Sequence, residues 1–418
     1  VKPTVEVEES VCHTGNPNNG AGAFWCYGAP LIVRIGERVF VSALEVGEGV
    51  APLCNTRPRV MMRGENGWQV VWHPEEFRER EPCPLVGFHD GTLALSVNPL
   101  INATGARQGA CRPHLRLFPA GDLKSPPQEV QPQWGEGNTF TEHSYRGIAC
   151  DGARGEVLLL NIDAHTSEQC WGLRDARGTW LRMGKIRFPI RACYPQVALR
   201  HRAAHVLAIG DIVEPIEEWR QYKREKTQRE WDYVFRRLFY TYTPDASTTD
   251  FVPPMEIDTV DATGGHILNL DLWLDANGDA HVLYLKQPVV PLIREKFFPQ
   301  MRLTKSLEHA VIRKGQVVSR QTLLSSGEGI TGDAPTYARF HATPDGRLFV
   351  IYTCDPSAMK LMPLLPQRAQ PVTLPVSDPL RTFFTATERG GSKPSNVLDL
   401  LGVGRDAATL RYVRVRLD

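Results

Sequence analysis

Two histidines carry the residue types and spacing best suited to chemistry. His143 follows Glu142 just ahead of an apolar run, and His165 follows Asp163-Ala164 just behind the next one. An imidazole near neutral pH can act as general base, general acid or metal ligand. The plainer alternative is a pair of loop histidines bonded to backbone. Tyr194, beside Pro195, opens the following apolar run. A phenol can move a proton if nearby cations lower its pKa; otherwise it is a packing aromatic. Arg146, Arg236 and Arg237 offer planar forks for an anionic group. Arg146 lies deeper in its run, where pairing with an interior acid is the alternative. Alternation along a strand turns one of Arg236 and Arg237 outward. A metal held by His143, His165 and Cys193 or Cys170 matches no compact zinc spacing, so no cofactor is expected beyond such a structural ion. No G-x-S-x-G, phosphate loop or dinucleotide fingerprint occurs.

These side chains must be positioned by a unit that recurs about seven times. A polar tight turn joins two short apolar runs, as at Gly36-Glu37, Asp90-Gly91, Arg154-Gly155, Asn277-Gly278, Asp345-Gly346 and Arg405-Asp406, and more weakly at His201-Arg202. Such a unit is a β-hairpin. Hairpins at intervals of roughly 50–75 residues predict a β-propeller with decorated blades. The expected fold is all-β: a single seven-bladed propeller over residues 1–418. Residues 3–9 alternate like an edge strand and are expected to complete the last blade. Residues 214–231 (EPIEEWRQYKREKTQREW) have helix propensity and no strand alternation, so they predict a helical insertion near the channel mouth. Residues 125–133, 286–300 and 359–379 read as long irregular connections.

Propeller geometry gathers one set of loops at one end of the channel: those before each innermost strand and those after each second strand. The first set holds Tyr27, residues 142–146, residues 193–196, His266, Tyr337 and Ser395-Asn396. The second holds Asp163 to His165, Asp211, Lys286-Gln287 and Asp355. This rim is rich in His, Tyr, Asp and Arg, and functional loops collect on one face of a rigid scaffold. His143, His165 and Tyr194 are the expected catalytic residues. Arg146, Gln196, Asp211, Arg236, Lys286, Tyr27 and Tyr337 are the expected substrate-binding residues.

Composition narrows the partners. The chain of 418 residues has a formal net charge of +1, which argues against sequence-independent nucleic-acid binding. No stretch is long and apolar enough for a membrane helix. Nine cysteines without a CxxC pair leave at least one free thiol. Most are expected to be buried and reduced, with disulfides among Cys12, Cys26 and Cys54 as the minority alternative. Asp175-Ala-Arg-Gly-Thr-Trp180 is similar to the Asp-box turn of sialidase-type propellers, with its glycine displaced by one position.

At residues 142–151 (EHSYRGIACD), 194–197 (YPQV) and 236–241 (RRLFYT), the chain resembles the BNR-repeat propellers, including ulvan lyase-type polysaccharide lyases and rhamnosidase-type hydrolases. The resemblance implies a carbohydrate-active enzyme acting on an anionic polysaccharide or oligosaccharide, most concretely a lyase of uronic-acid-containing glycans. It implies His143 and His165 flanking one hairpin and Tyr194 opening the next blade, with Tyr194 or His143 as base. The lyases tend to place an arginine where this chain has Gly210-Asp211, so a carboxylate clamp would fall to Arg146, Arg236 or Lys286. An exo-acting glycoside hydrolase using rim acids such as Asp163, Asp211 or Asp355 is the first alternative, and a non-catalytic glycan-binding propeller the second. Degradation of a polymer implies a secreted or periplasmic protein, expected to be a monomer.

Overall fold

The apolar runs on either side of each polar turn pair as antiparallel strands, and seven four-stranded sheets result. The computed structural model describes residues 1–25, 28–102 and 106–418. The protein is an all-β, seven-bladed propeller. The first blade runs from Ile32–Ile35 to Gly67–Trp72, the second from Leu85–Gly87 to Gln128–Val130, and the third from Gly147–Asp151 to Trp180–Ile186. The fourth runs from Ala192–Arg200 to Met255–Thr259, the fifth from His266–Leu274 to Gln316–Gly327, and the sixth from Ala334–Ala342 to Val372–Leu374. Inner strands are covered by neighbouring blades on both faces and are therefore mostly apolar, with a few buried polar residues such as Asn161 and Asn269. Glu156–Ile162 is buried at every position, whereas the outer strand Trp180–Ile186 is only partly covered.

The seventh blade joins the two ends of the sequence. Pro3–His13 pairs antiparallel with Thr409–Leu417, from Pro3 opposite Leu417 to His13 opposite Thr409. The closing strand extends past residue 9 because Val11 is buried in the core between the last and first blades. Arg34 of the first blade also binds Asp399 of the seventh, Nη2 to Oδ1 at 2.7 Å.

Several expectations change. The innermost strand of the seventh blade is Thr382–Thr385, so the turn at Arg405-Asp406 joins its second and third strands. Ser395-Asn396 accordingly lies in the connection between the first and second strands, at the opposite rim. A four-residue strand followed by the 3₁₀ turn Glu388–Gly390 lacks the tight-turn signature of the other hairpins. The stretch 359–379 is largely structured, by Ala358–Leu365 and Val372–Leu374, and 125–133 holds the strand Gln128–Val130. The helix within 214–231 is α1, Glu217–Thr227, with acids in its first turn and bases in its last, matching the helix dipole. A second helix, α2, Pro291–Phe297, occupies 286–300, with proline at its first turn. Trp219 and Tyr222 of α1 pack on Phe297 of α2 with ring centres 5.9 and 5.5 Å apart.

A buried polar belt crosses the axis. Asp271 of the fifth blade pairs with Arg389 of the seventh at 3.1 Å and faces Arg339 of the sixth at 3.7 Å. It also accepts the Phe340 N–H at 2.9 Å. Gln196 of the fourth blade donates to the Asn269 carbonyl, and Asn269 donates to the Tyr194 carbonyl, each at 2.9 Å. Deleting one partner of such a buried ion pair typically costs about 3–5 kcal/mol, because the other charge is stranded. The belt thus fixes the blades on which the rim is built.

Candidate functional site

A cavity of about 960 Å³ opens on the rim that holds His143. Trp25, Arg80, His143, Tyr145, Arg191 and Tyr233 line it, with Asp163, Ala164, Ser167 and Trp231 at its edges. The segment 142–146 enters the third blade here, and Glu81 clamps it. The Ser144 N–H donates to Glu81 Oε1 at 3.1 Å, and the Ser144 hydroxyl donates to Oε2.

His143 lies between a cation and a carboxylate. Arg80 Nη1 donates to His143 Nδ1 at 2.7 Å. A guanidinium has no acceptor, so Nδ1 must present its lone pair and the proton of the neutral ring sits on Nε2. Nε2 faces Glu142 Oε1 at 3.8 Å, while Glu142 Oε2 accepts the Gly109 N–H at 2.8 Å. Burial lowers the His143 pKa, the charge of Arg80 lowers it further, and Glu81 and Glu142 oppose them. The imidazole is therefore neutral near pH 7. Arg80 is itself fixed, donating from Nε to the Asn19 carbonyl at 3.0 Å and lying 5.8 Å from the Trp25 ring centre.

Two tyrosines hold unusual backbone conformations beside it. Tyr145 has φ 39° and Tyr194 has φ 53°, in the left-handed region where a Cβ is crowded. Strain of this kind is commonly found at functional sites. Their rings meet edge to face at 5.2 Å, which contributes stabilisation against that strain. The bulge between Cys193 and Gln196 lets Tyr194 leave the regular pleat. Arg191 stacks 4.9 Å from the Tyr145 ring centre and pairs with Asp211 at 3.0 Å. Burial pushes the Tyr145 phenol up, with Cys193 and Asp211 acting the same way and Arg191 opposing, so it stays protonated. Burial also raises the Asp211 carboxyl against the pull of Arg191.

The expected site residues separate into distinct places. His143 lines the cavity. His165 is on the same rim loop, its backbone N–H bonded to Asp163 at 2.8 Å, but its side chain is exposed and does not line the cavity. Tyr194 lies beneath the cavity, packed among Trp25, Tyr145 and Phe235, and is 3% exposed. Asp211 positions Arg191. Gln196 lies in the axial belt. Arg146 is buried and held by Glu79 at 3.1 Å and by the Glu81 carbonyl. Arg236 forms a two-pronged pair with Glu214, and Lys286 binds Asp258 at 2.8 Å, both away from the cavity lining. Tyr337 accepts a bond from Arg339 at 2.6 Å and packs on Phe383. Tyr27 lies outside the described residues, as does Cys26. Among the described residues no group of three or more His, Cys, Asp or Glu is arranged to hold a metal ion. The Asp175 turn joins the outer two strands of the third blade, where Oδ1 accepts the N–H groups of Arg177 and Thr179.

Arg80, Tyr145, Arg191 and the Trp231–Tyr233 edge are cavity residues that the sequence reading does not select. Tyr145 falls within the rim segment 142–146, whereas Arg191 lies two residues before the rim segment 193–196 and is not reached by it. The signal for Arg80 is weaker: a charged run, Arg78 to Glu81, in the link between the first and second blades.

No family model matches the chain, and no curated protein matches it by sequence. Solved structures do match in fold. A GH93 α-L-arabinofuranosidase of Fusarium graminearum in complex with arabinobiose aligns over 79% of this chain and 91% of its own, at 13% identity and TM-score 0.43. The polysaccharide lyase Uly1 aligns over 99% of this chain and 94% of its own, at 11% identity and TM-score 0.55. A PL25 ulvan lyase bound to -[GlcA(1-4)Rha3S]- aligns over 96% of this chain and 97% of its own, at 11% identity and TM-score 0.53, so the chain is similar in fold to both lyases along nearly its whole length.

Proposed function

We propose that the protein is a carbohydrate-active enzyme, a polysaccharide lyase that cleaves uronic-acid-containing glycans by β-elimination in the His143 cavity. The observation that carries this reading is the placement of a neutral His143 between Arg80 and Glu142, beside a protonated Tyr145 stacked on Arg191. The substrate carboxylate competes for Arg80, which leaves His143 Nδ1 to bind the anion and thereby frees the lone pair. Glu142 Oε1 lies 3.8 Å from Nε2, and its negative charge favours the tautomer with the proton on that nitrogen, the one a base at Nδ1 requires. Nδ1 then takes the proton α to the carboxylate. That C–H electron pair forms the new C=C bond as the bond to the 4-linked oxygen breaks. The departing oxygen takes the Tyr145 proton, and Arg191 stabilises the phenolate. Arg80 stabilises the enolate-like charge in a partly desolvated site, where preorganised electrostatics are strongest. Solvent returns the proton from His143 to Tyr145.

Two fold neighbours above TM-score 0.5 are polysaccharide lyases, one of them bound to a glucuronate-containing unit, which supports an anionic glycan as substrate. Hydrolysis by paired carboxylates fits less well. Asp163 is the one carboxylate among the described lining residues, and its oxygens accept the N–H groups of His165, Thr166 and Thr139. Action on a polymer places the protein outside the cytoplasm, secreted or periplasmic, and it is taken to work as a monomer. The test is ultraviolet absorbance of the unsaturated uronate product across a panel of uronate-containing polysaccharides. A rise that His143→Ala abolishes without changing Tm is the expected result. New reducing ends without absorbance would replace elimination by hydrolysis.

A further inference from the structure

Behind the cavity wall, two thiols share a small apolar cluster of their own. Cys54, Leu100 and Cys111 pack together apart from the blade cores, with Cys54 0% and Cys111 5% exposed. Backbone bonds hold both positions. The Cys54 N–H donates to the Arg107 carbonyl and the Cys111 N–H to the Phe140 carbonyl, each at 2.9 Å. Leu100 and Cys111 also face each other across an antiparallel bridge. Cys54 and Cys111 belong to one buried cluster, and the neighbouring Cys54 thiol, followed by burial, raises the Cys111 pKa; the Cys111 thiol itself donates to the Gly109 carbonyl at 3.5 Å. Cys83, Cys150, Cys193 and Cys354 each stand as the one buried cysteine of their own clusters, so the pairing sets Cys54 and Cys111 apart from them.

We infer that Cys54 and Cys111 are a redox pair that an external disulfide converts into a cross-link bracing the cavity wall. In the exchange, one thiolate attacks the external disulfide and expels a thiol. The second thiolate then attacks the mixed disulfide and expels the other thiol. The protein loses two hydrogens and two electrons, and the external disulfide is reduced to two thiols. The raised pKa keeps the thiolate fraction small, so oxidation is slow and the reduced pair persists in brief exposures. The cross-link would tie two segments that support the site. Leu53, next to Cys54, lines the cavity, and its carbonyl accepts from Asn19 at 3.1 Å. Gly109, two residues before Cys111, holds Glu142. The inference does not depend on which reaction the cavity performs.

The test equilibrates the native protein in glutathione buffers of graded oxidation, then denatures it in iodoacetamide and maps peptides without reduction. The expected product is a Cys54–Cys111-linked peptide pair, two hydrogens lighter than its parts and separated by dithiothreitol. Closing a loop of roughly 60 residues should raise Tm by about 3–5 °C, and Cys54→Ala or Cys111→Ala should abolish that rise. Complete alkylation of both cysteines at the most oxidising poise would overturn the inference. So would a link from either one to Cys26 or to glutathione instead.

Discussion

Lowering the pH from 7 to 5 should destabilise the protein through histidines buried in the neutral form. His205 and His341 are 5% and 3% exposed, and burial brings each pKa down from 6.5 to about 4. His205 Nδ1 meets the Tyr240 hydroxyl at 2.6 Å, and His341 Nε2 donates to the Ser395 carbonyl at 2.8 Å, so neither ring has an acid close enough to offset burial. The sign follows from proton counting. Between about pH 6.5 and 4 the unfolded chain binds protons that the folded chain refuses, so stability present above 6.5 is lost as pH falls. Linkage gives about 2 kcal/mol per histidine at pH 5, or about 4 kcal/mol for the pair. For a chain of this size that lowers Tm by roughly 5 °C. His114 and His309, lowered to about 4 and about 3, act in the same direction. Glu79, Asp211 and Glu388, raised by burial, oppose them because they take up protons first in the folded state. Calorimetric Tm at constant ionic strength measures the sum. His341→Gln keeps a donor for the Ser395 carbonyl and cannot titrate, so its Tm should fall by roughly 2–3 °C less between pH 7 and 5. Equal pH slopes for the variant and the parent, or a parent Tm that is flat over this range, would refute the reasoning.

Three further outcomes bear on the cavity. Tyr145→Phe should lower kcat about 10²–10⁴-fold while Tyr194→Phe lowers it far less, since Tyr145 lines the cavity and Tyr194 lies beneath it; steady-state kinetics of the pair checks this. Arg80→Gln should raise KM and move the acidic limb of kcat/KM to higher pH, because the charge that lowers the His143 pKa is gone; an unmoved pH profile contradicts it. Trp231 is 81% exposed at the cavity edge, so Trp231→Ala should weaken glycan binding about 3–10-fold with kcat held, measured by titration of oligosaccharide against tryptophan fluorescence.

Most of the ring is legible in the sequence because its rules are local. Asp90-Gly91 and Asn277-Gly278 specify hairpins, and apolar runs such as Val157–Leu160 specify strands covered on both faces. Even His201-Arg202, the least regular turn, holds both residues at positive φ, with the His201 N–H bound to Asp151 at 2.8 Å. Thr382–Thr385 escapes notice because four residues in a Pro-rich stretch carry no periodicity. The cavity is less legible because its key contacts cross between blades. Arg80 reaches His143 from a different blade entry, and nothing local to either residue records that meeting. An interior acid is an open alternative for Arg146 in the sequence, but its identity, Glu79, and the pairing of Arg236 with Glu214 are not, since both acids lie outside the segments of their arginines. The backbone twist at Tyr145 and Tyr194 has no sequence marker, since tyrosine disfavours that region.

The strand Pro3–His13 has one more implication, for the order of events during synthesis. It leaves the ribosome ahead of six complete blades, and its partner Thr409–Leu417 follows all of them. While those blades are being made it is an unpaired edge, open to wrong partners on other nascent chains. Its Glu6, Glu8 and Glu9 supply the negative charge that discourages such pairing. After closure the same carboxylates find bases, with Glu9 binding Arg63 at 2.7 Å and Glu8 facing Arg411 at 3.8 Å. The charges that protect the waiting strand also help to seat it, so neutralising them should harm yield during expression more than it harms the finished ring.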